Sequence, residues 1–284
     1  MVTGDNTIKK LILCGFLALS SGLALRGATA ASETYANPAS APVADAPTTI
    51  TTPATKPLVR VALYDHSGNT AKEPGILKRI LTPREGFDCQ RVTPQDIQNG
   101  CLKNFDILVL PGGSGSLQAK KLTARGRDNI RQFVSRGGGY IGICAGSYLA
   151  SSTYKWSLSL INARVVDSQH WARGTGQVKI NMTPLGKALL DEQSDVVDVY
   201  YGQGPLLAPD TKPGLPAYEP LALYSSEIAK KGVPTGVMVG TTAIARTIYG
   251  QGHVICVSPH PEAKDGPNHL ILDAARWVTP TAKP

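Results

Sequence analysis

The chain has 284 residues, of which 42% are hydrophobic and 18% are charged, and its formal net charge at pH 7 is +8. This composition is typical of a globular protein and excludes a disordered or collagen-like chain, and the length suffices for one large domain or two small ones. Because the basic residues are scattered and are not interleaved with aromatic residues, we expect a solvated basic surface and no nucleic-acid partner.

Residues 1–30 have the pattern of a secretory signal peptide. Lys9 and Lys10 precede a short apolar run, and Ala28-Thr-Ala30 follows it as a small-residue cleavage site. We expect cleavage after Ala30 and a mature protein that is periplasmic or secreted. Because the run is short and is interrupted by Ser and Gly, an uncleaved N-terminal anchor is the less favoured alternative, and we expect no other membrane contact.

Two changes in composition divide the rest of the chain. Residues 31–57 are rich in Ala, Pro and Thr and lack apolar periodicity, which predicts a disordered linker. Apolar runs begin at residue 58, so we predict one domain over residues 58–279, followed by a short tail at residues 280–284.

The first half of this domain alternates between strands and helices. Unbroken apolar runs predict buried strands at residues 58–64, 105–110 and 139–143. Helical spacing predicts helices at residues 75–82 and 127–136. Buried strands that alternate with helices indicate an α/β domain with a mostly parallel sheet and helices on both faces.

The second half of the domain is richer in strands. They are predicted at residues 163–167, 177–181, 196–201, 220–224, 236–239, 242–249 and 254–258. The turn Gly250-Gln-Gly252 between the last two predicts a β-hairpin, and a closing helix is predicted over residues 267–278.

Four cysteines remain once the predicted signal peptide is removed, at Cys89, Cys101, Cys144 and Cys256. An oxidising compartment permits disulfides, and Cys89 and Cys101 are the favoured pair because they are close in sequence. Cys144 and Cys256 both end strand-like segments, which indicates separate roles. The alternative is that all four are reduced core residues.

The segment Gly142-Ile-Cys144-Ala-Gly146 lies between a predicted buried strand and a segment that can form a helix. A nucleophile between small residues at a strand-to-helix turn is typical of a nucleophile elbow, in which strained backbone presents the reacting atom at the carboxyl end of the strand. The positive end of the following helix favours the thiolate. A core cysteine in a glycine-rich strand is the alternative.

A histidine and a glutamate follow a later apolar strand, in the segment Val257-Ser-Pro-His260-Pro-Glu262. This position places His260 at the carboxyl edge of the sheet, where ligands bind in open parallel sheets. A thiol needs a base, and the base needs an acceptor that orients it. We therefore predict Cys144 as nucleophile, His260 as base and Glu262 as the orienting group.

Two adjacent glycines follow the predicted strand that ends at residue 110, in Pro111-Gly112-Gly113. Their backbone N–H groups are not shielded by side chains. Together with the N–H of Ala145, they are predicted to stabilise an oxyanion. A plain glycine turn is the alternative.

In chain order, Pro-Gly-Gly, G-x-C-x-G and His-x-Glu resemble the class I glutamine amidotransferase superfamily. Within it, residues 138–150 and 199–204 resemble the N-terminal domain of eukaryotic-type biotin–protein ligases, which stand-alone bacterial proteins share. The resemblance covers nearly all of residues 58–279 and implies a flavodoxin-like sheet with a Cys-His-Glu triad. It also implies that residues 199–204 border the active site, so Tyr148 and Tyr201 are the expected substrate-binding side chains.

One position departs from the glutaminase pattern G-x-C-x-G-x-Q, because Ser147 and Tyr148 follow Gly146 here. Glutamine is therefore not supported as the substrate. We predict an exported cysteine-dependent amidase or hydrolase that acts on a small-molecule or peptide amide. One alternative is a non-catalytic binding or regulatory module of the biotin–protein ligase N-terminal type. Another is a thiol stress-response protein, against which the paired His260 and Glu262 argue.

No motif indicates a metal ion or a cofactor. The remaining histidines of the domain, at His66, His170, His253 and His269, lack metal-ligand spacing. The glycines after Pro111 lack the Lys-Ser/Thr ending of a phosphate-binding loop. Asp65-His66 is interpreted as a solvated turn and His170-Trp171 as a loop anchored by a buried Trp.

Overall fold

A computed structural model of the protein describes residues 57–280. The predicted signal peptide, the linker up to residue 56 and residues 281–284 lie outside the described residues. The strands are β1 Val59–Tyr64, β2 Phe87–Val92, β3 Ile107–Leu110, β4 Gly139–Ile143, β5 Ala163–Val166, β6 Gly176–Met182, β7 Val196–Tyr201, β8 Leu206–Pro209, β9 Glu219–Tyr224, β10 Thr242–Tyr249 and β11 Gly252–Val257. The α-helices are α1 Lys72–Ile80, α2 Pro94–Gln98, α3 Gly115–Ser135, α4 Ala145–Ala150, α5 Pro184–Leu189 and α6 His269–Val278.

The strands form one large mixed sheet in the order β2-β1-β3-β4-β11-β10-β9-β6-β7. The five strands from β2 to β11 in this order are parallel. The remaining four continue the sheet with antiparallel pairings, and β8 bridges β5 to β10 beside this path. The flavodoxin-like α/β class is thus confirmed, and the strand-rich second half supplies the antiparallel extension.

Helices cover both faces of the parallel strands, which explains why the central strands β3 and β4 are buried at every position. Alternate side chains point to opposite faces, so Ile107 and Val109 pack on one side while Leu108 and Leu110 pack on the other. Residues of α1 and α6 belong to the first core cluster, and residues of α2, α3 and α4 belong to the second. Full burial of one such side chain stabilises the fold by about 1.5–3 kcal/mol.

The register between β4 and its two neighbours, β3 and β11, decides where the segments that carry the predicted site residues meet. Leu110 is aligned with Gly142 in the β3–β4 pair, and Val257 is aligned with Ile143 in the β4–β11 pair. The three strands therefore end together at one edge of the sheet. The segments that follow them carry Gly112, Cys144 and His260, respectively.

Most predicted elements are confirmed, and four further ones escaped sequence analysis. The hairpin of β10 and β11 forms as predicted. The elements that were missed are β2, β8, α2 and α5. The strand predicted at residues 236–239 is wrong, because those residues form turns after Gly236, whose N–H donates to Glu227 Oε1 at 2.7 Å. The helix predicted at residues 127–136 is the second part of α3, which is broken at Thr123 (φ 58°, ψ −178°).

The expected disulfide between Cys89 and Cys101 is not present, and all four described cysteines are free thiols. Cys89 lies in β2 and packs in the core cluster on one face of the sheet, whereas Cys101 packs against the cluster on the other face. Proximity in sequence therefore does not bring the two sulfurs together.

None of the helices within residues 57–280 is both long and apolar enough to cross a membrane.

Candidate active site

Cys144 occupies a sharp turn between β4 and α4. Its backbone has φ 47° and ψ −99°, a positive φ that non-glycine residues rarely adopt and that stores strain. The turn is held by three backbone hydrogen bonds. The N–H of Cys144 donates to Val257 O at 2.8 Å, and its carbonyl accepts from the N–H groups of Ser147 and Tyr148 at 3.0 and 3.1 Å. The neighbouring strand and the first turn of α4 thus fix the sulfur-bearing residue.

The glycines on either side of Cys144 allow this turn to pack closely. A Cβ atom at Gly142 would lie 2.6 Å from the backbone of Gly146, and one at Gly146 would lie 2.3 Å from Leu110 O. Neither distance is compatible with a side chain. The hydroxyl of Tyr140 further anchors the turn by donating to Gly146 O at 2.8 Å. The spacing of small residues around the nucleophile is therefore a steric requirement of the elbow.

The structure brings His260 and Glu262 to the same edge of the sheet as Cys144. The N–H of His260 donates to Tyr200 O at 2.8 Å, which attaches the segment after β11 to β7. Its Nδ1 lies 2.8 Å from Glu262 Oε1. A Cβ at Gly112 would lie 2.8 Å from His260 Cε1 and 3.8 Å from Cys144 Cβ, so the two side chains are neighbours at this edge. Because Glu262 is buried and engages Nδ1, the remaining ring nitrogen, Nε2, is left for the thiol.

The imidazole of His260 lies between two glycines that cannot carry side chains. A Cβ at Gly112 would lie 2.8 Å from its Cε1, and a Cβ at Gly202 would lie 2.6 Å from its Nε2. The second of these glycines also accepts a hydrogen bond on its carbonyl from Cys144 Sγ, at 3.6 Å. The segment Gly202-Gln-Gly204 after β7 therefore shapes the space around the His260 ring.

We expect Gly202→Ala to displace the imidazole while leaving the nucleophile in place. Alkylation of Cys144 by iodoacetamide at pH 7 should fall by at least about tenfold, because an ordinary thiol of pKa ~8.5 is only a few per cent ionised at that pH. Peptide-resolved mass spectrometry over a time course measures the rate. Gly75→Ala is the matched control, since a Cβ there meets only the flexible guanidinium groups of Arg91 and Arg79, at 3.4 and 3.8 Å. An unchanged rate in Gly202→Ala would contradict this role.

The electrostatics of the site favour a charged imidazole. Burial lowers the pKa of His260, but the hydrogen bonds and negative charges of Cys144 and Glu262 outweigh it and raise this pKa to about 10. At neutral pH the base is therefore an imidazolium between two potential anions. Elsewhere in the described chain, burial raises the pKa of the Cys89 and Cys101 thiols to about 11 and that of Cys256 to about 12.

The predicted oxyanion donors lie beside the nucleophile. Ala145 directly follows Cys144 and begins α4, and its N–H has no hydrogen-bond acceptor among the described residues. The same holds for the N–H of Gly113, which lines the cavity of the active site and has φ 124°. Gly112 lies against the His260 ring. The two unoccupied N–H groups are thus available to a ligand oxygen.

A cavity of about 300 Å³ opens at Cys144. Its walls carry four aromatic side chains, from Tyr148, Tyr154, Trp156 and Trp171. The rings of Tyr154 and Trp156 are stacked, with centroids 4.5 Å apart and planes inclined by 5°. Sequence analysis missed this wall, although aromatic residues at positions 154 and 156, just after the elbow helix, are a recognisable signal.

Tyr148 and Tyr201, the two expected substrate-binding tyrosines, differ in position. Tyr148 lines the cavity, and its hydroxyl donates to Gln203 O at 3.2 Å. Tyr201 does not line it, because it is fully buried in the core, where its ring packs edge-on against Tyr224 and its hydroxyl donates to Gly204 O at 2.9 Å. Gly202 and Gln203 line the cavity instead.

The structure also tests the interpretations of His170-Trp171 and Asp65-His66. Trp171 is 55% exposed and lines the cavity, so the interpretation of a loop anchored by a buried Trp is wrong. The loop is anchored instead by Arg173, which is 1% exposed and pairs with Asp167 Oδ2 at 2.8 Å. Asp65 is buried and pairs with Arg91 at 2.9 Å, so the interpretation of a solvated turn is wrong for this residue, which also lies outside the cavity.

A larger cavity, of about 590 Å³, lies at the opposite edge of the sheet, where β3, β4 and β11 begin. Lys103, Asn129 and Arg136 are among its lining residues, and Cys144 and His260 are not. Within residues 57–280 there is also no cluster of three His, Cys, Asp or Glu side chains that could hold a metal ion.

Residues 61–172 match the protein-family model described as "Biotin-protein ligase, N terminal". This match confirms the resemblance drawn from the sequence over those residues, although it is shorter than the span expected. Cys144 lies inside the matched region, whereas His260 and Glu262 lie beyond it. No curated protein sequence matches the chain.

Several solved structures share the fold at low sequence identity. A cytoplasmic protein from Salmonella typhimurium is 11% identical, with a TM-score of 0.52, over 79% of this chain and 100% of that one. A ThuA-like protein from Bacteroides uniformis is 12% identical, with a TM-score of 0.51, over 79% of this chain and 93% of that one. A ThuA-like protein from Parabacteroides merdae is 14% identical, with a TM-score of 0.50, over 81% of this chain and 93% of that one. These similarities show a shared α/β fold and nothing finer.

Proposed function

We propose that the protein is an exported cysteine-dependent amidase or acyl-transfer hydrolase that uses Cys144, His260 and Glu262 as a triad. The observation that carries this proposal is the strained backbone at Cys144 together with the neighbouring His260–Glu262 pair, whose Nδ1 and Oε1 lie 2.8 Å apart. Strain of this kind persists at positions where the surrounding structure enforces it, and such positions cluster at active sites. The predicted signal peptide supports a site of action outside the cytoplasm.

In the proposed reaction, the Cys144 thiolate attacks the carbonyl carbon of the amide, and a C–S bond forms. The tetrahedral oxyanion accepts hydrogen bonds from the N–H groups of Gly113 and Ala145. The C–N bond then breaks, and the proton on Nε2 of His260 passes to the leaving amine, which gives a thioester and a neutral imidazole. Water attacks the thioester with His260 as base, and the carboxylic acid leaves as Cys144 is restored.

Glu262 orients the imidazole in this scheme. Its Oε1 engages Nδ1 of His260 at 2.8 Å, while its Oε2 is buried without a hydrogen-bond partner in the described chain. A carboxylate that accepts from Nδ1–H keeps Nε2 directed at the thiol and stabilises the imidazolium. The raised pKa of His260 is consistent with this role, because both of its neighbours stabilise the charged form.

The competing hypothesis is a non-catalytic binding or regulatory module that retains the triad geometry. The replacement of the glutaminase Gln by Tyr148, whose hydroxyl is engaged by Gln203 O, favours it. The two hypotheses differ in whether a covalent intermediate forms, since binding alone leaves the sulfur unmodified.

Trapping of an acyl-enzyme tests the proposal. We expect the protein, incubated with p-nitrophenyl esters and then acid-quenched, to gain the mass of one acyl group, located on Cys144 by peptide mapping. The matched control is Cys256→Ala, which removes a buried thiol away from the cavity. Ester binding without acylation would favour the binding module, and acylation at other residues alone would refute the proposal.

A further inference from the structure

Apart from Cys144, the cavity has no acidic or basic side chain in its walls. Among the described residues that line it, none is Lys, Arg, Asp or Glu. Apart from Cys144, its polar groups are the hydroxyls of serines and tyrosines, the Trp indole N–H groups, one Gln and backbone atoms. A ligand that fills this space meets neutral dipoles and aromatic faces.

Arg173 and His260, which lie near the cavity, are engaged by other protein groups. Arg173 lies on the loop that carries Trp171. Its Nε donates a hydrogen bond to Ile228 O at 3.1 Å, and one of its terminal nitrogens donates to Pro234 O at 2.8 Å. Its other terminal nitrogen pairs with Asp167, whose second oxygen contacts His170 Nδ1 at 2.5 Å. His260 faces Cys144 and Glu262. None of these groups is left to bind the charge of a substrate.

This environment disfavours a free α-amino acid such as glutamine. Such a substrate carries an ammonium and a carboxylate, and each must be removed from water and paired when it is buried. The cavity supplies no partner for either charge. Its volume of about 300 Å³ is at the small end of the range of ligand pockets, so a short, compact substrate fits it best.

The aromatic wall favours a planar group. In the stacked pair of Tyr154 and Trp156 each ring covers one face of the other, so a further ring can contact an outer face or an edge, in the offset-stacked or edge-on arrangements that aromatic pairs prefer. Trp171 reaches the cavity from the loop that the Arg173–Asp167 pair anchors, and its side chain is exposed to a ligand there. A large exposed aromatic side chain in a cavity wall is typical of a binding surface.

Resting on the proposed function, we infer that the substrate is an uncharged amide or ester that carries an aromatic ring, and that Trp156 and Trp171 bind this ring. Glutamine and other zwitterionic amides are excluded as substrates. Specificity thus resides in the aromatic wall, and reactivity resides in Cys144 and His260.

Alkylation with a matched pair of neutral reagents tests the inference. The rates at which iodoacetamide and N-phenyliodoacetamide modify Cys144 are each divided by the rate for glutathione. We expect the aromatic reagent to be favoured by about tenfold or more, the effect of one well-formed aromatic contact with burial of the ring. Trp156→Ala and Trp171→Ala should lower this ratio to about threefold or less. Trp277→Ala is the matched control, because Trp277 stacks on His253 outside the cavity.

The possible outcomes separate this inference from the proposed function. Equal corrected rates for the two reagents, or a ratio unchanged in both Trp variants, would overturn the aromatic specificity while leaving the triad chemistry intact. Release of ammonia from glutamine in a coupled assay would overturn the substrate class and support the amidase. Failure of Cys144 to react with either reagent, or with an acyl ester, would overturn the proposed function itself.

Discussion

Cys144→Ala is expected to lower turnover of any amide or ester substrate by about 10³-fold or more, because removal of a nucleophile in a triad abolishes the covalent route. Labelling by iodoacetamide at pH 7 should disappear from the peptide that contains residue 144. The other described cysteines should remain largely unlabelled in the folded protein, since burial raises the pKa of each of their thiols to about 11 or 12. Turnover is measured with the ester that acylates the protein best.

Cys101→Ala provides the matched control for this loss. Cys101 is half-buried and packs far from the elbow, against the core on one face of the sheet. Its removal should leave turnover and the labelling of Cys144 unchanged. Thermal unfolding of both variants shows whether the fold is retained. Full turnover by folded Cys144→Ala would reject the mechanism.

His260→Gln is expected to slow alkylation of Cys144 at pH 7 by about 30-fold, because an uncoupled thiol with a pKa of ~8.5 is about 3% ionised there. The side chain of Gln has a similar reach but carries no charge, so the thiolate loses its partner. The rate should then rise with pH as it does for a simple thiol. A variant that retains the wild-type pH profile would show that His260 does not activate the sulfur.

The raised pKa of His260 also predicts how turnover by the wild-type protein depends on pH. The pKa of His260 is raised to about 10, so the imidazolium is present below that pH and is lost above it. Because the leaving amine takes its proton from His260, amide hydrolysis should fall as the pH rises through about 10. Alkylation should not fall there, since it needs no proton from His260. A common decline of both reactions would indicate unfolding instead of titration.

Several features of the site were predictable because they are local. The run Gly142-Ile-Cys144-Ala-Gly146 encodes its own turn, since a Cβ at either glycine would collide with backbone. Pro111-Gly112-Gly113 likewise follows a fully buried strand. Such patterns depend on neighbours within a few residues, so they identify the nucleophile and one of the candidate oxyanion donors without knowledge of the rest of the chain.

Features that depend on register and on side-chain direction were not predictable. Val197, Val199 and Tyr201 alternate toward the core along β7, which directs Tyr200 toward His260 and removes Tyr201 from the cavity. A shift of one residue reverses this assignment, and the sequence of a single strand does not fix it. Only half of the positions of edge strand β2 are buried, and the polar residues Asp88 and Gln90 interrupt its apolar run. The strand was missed because the sequence analysis relied on unbroken apolar runs.

By itself, the sequence determined the α/β class, the elbow at Cys144 and the identity of its candidate partners, because each follows from short-range patterns of apolar, small and ionisable residues. The tertiary structure decided that β11 lies beside β4, and this one pairing brings His260 to a sulfur that is remote along the chain. It also separated Cys89 from Cys101 and assembled the aromatic wall. These outcomes depend on how distant segments pack, which is governed by the burial of both faces of the sheet and not by any local preference.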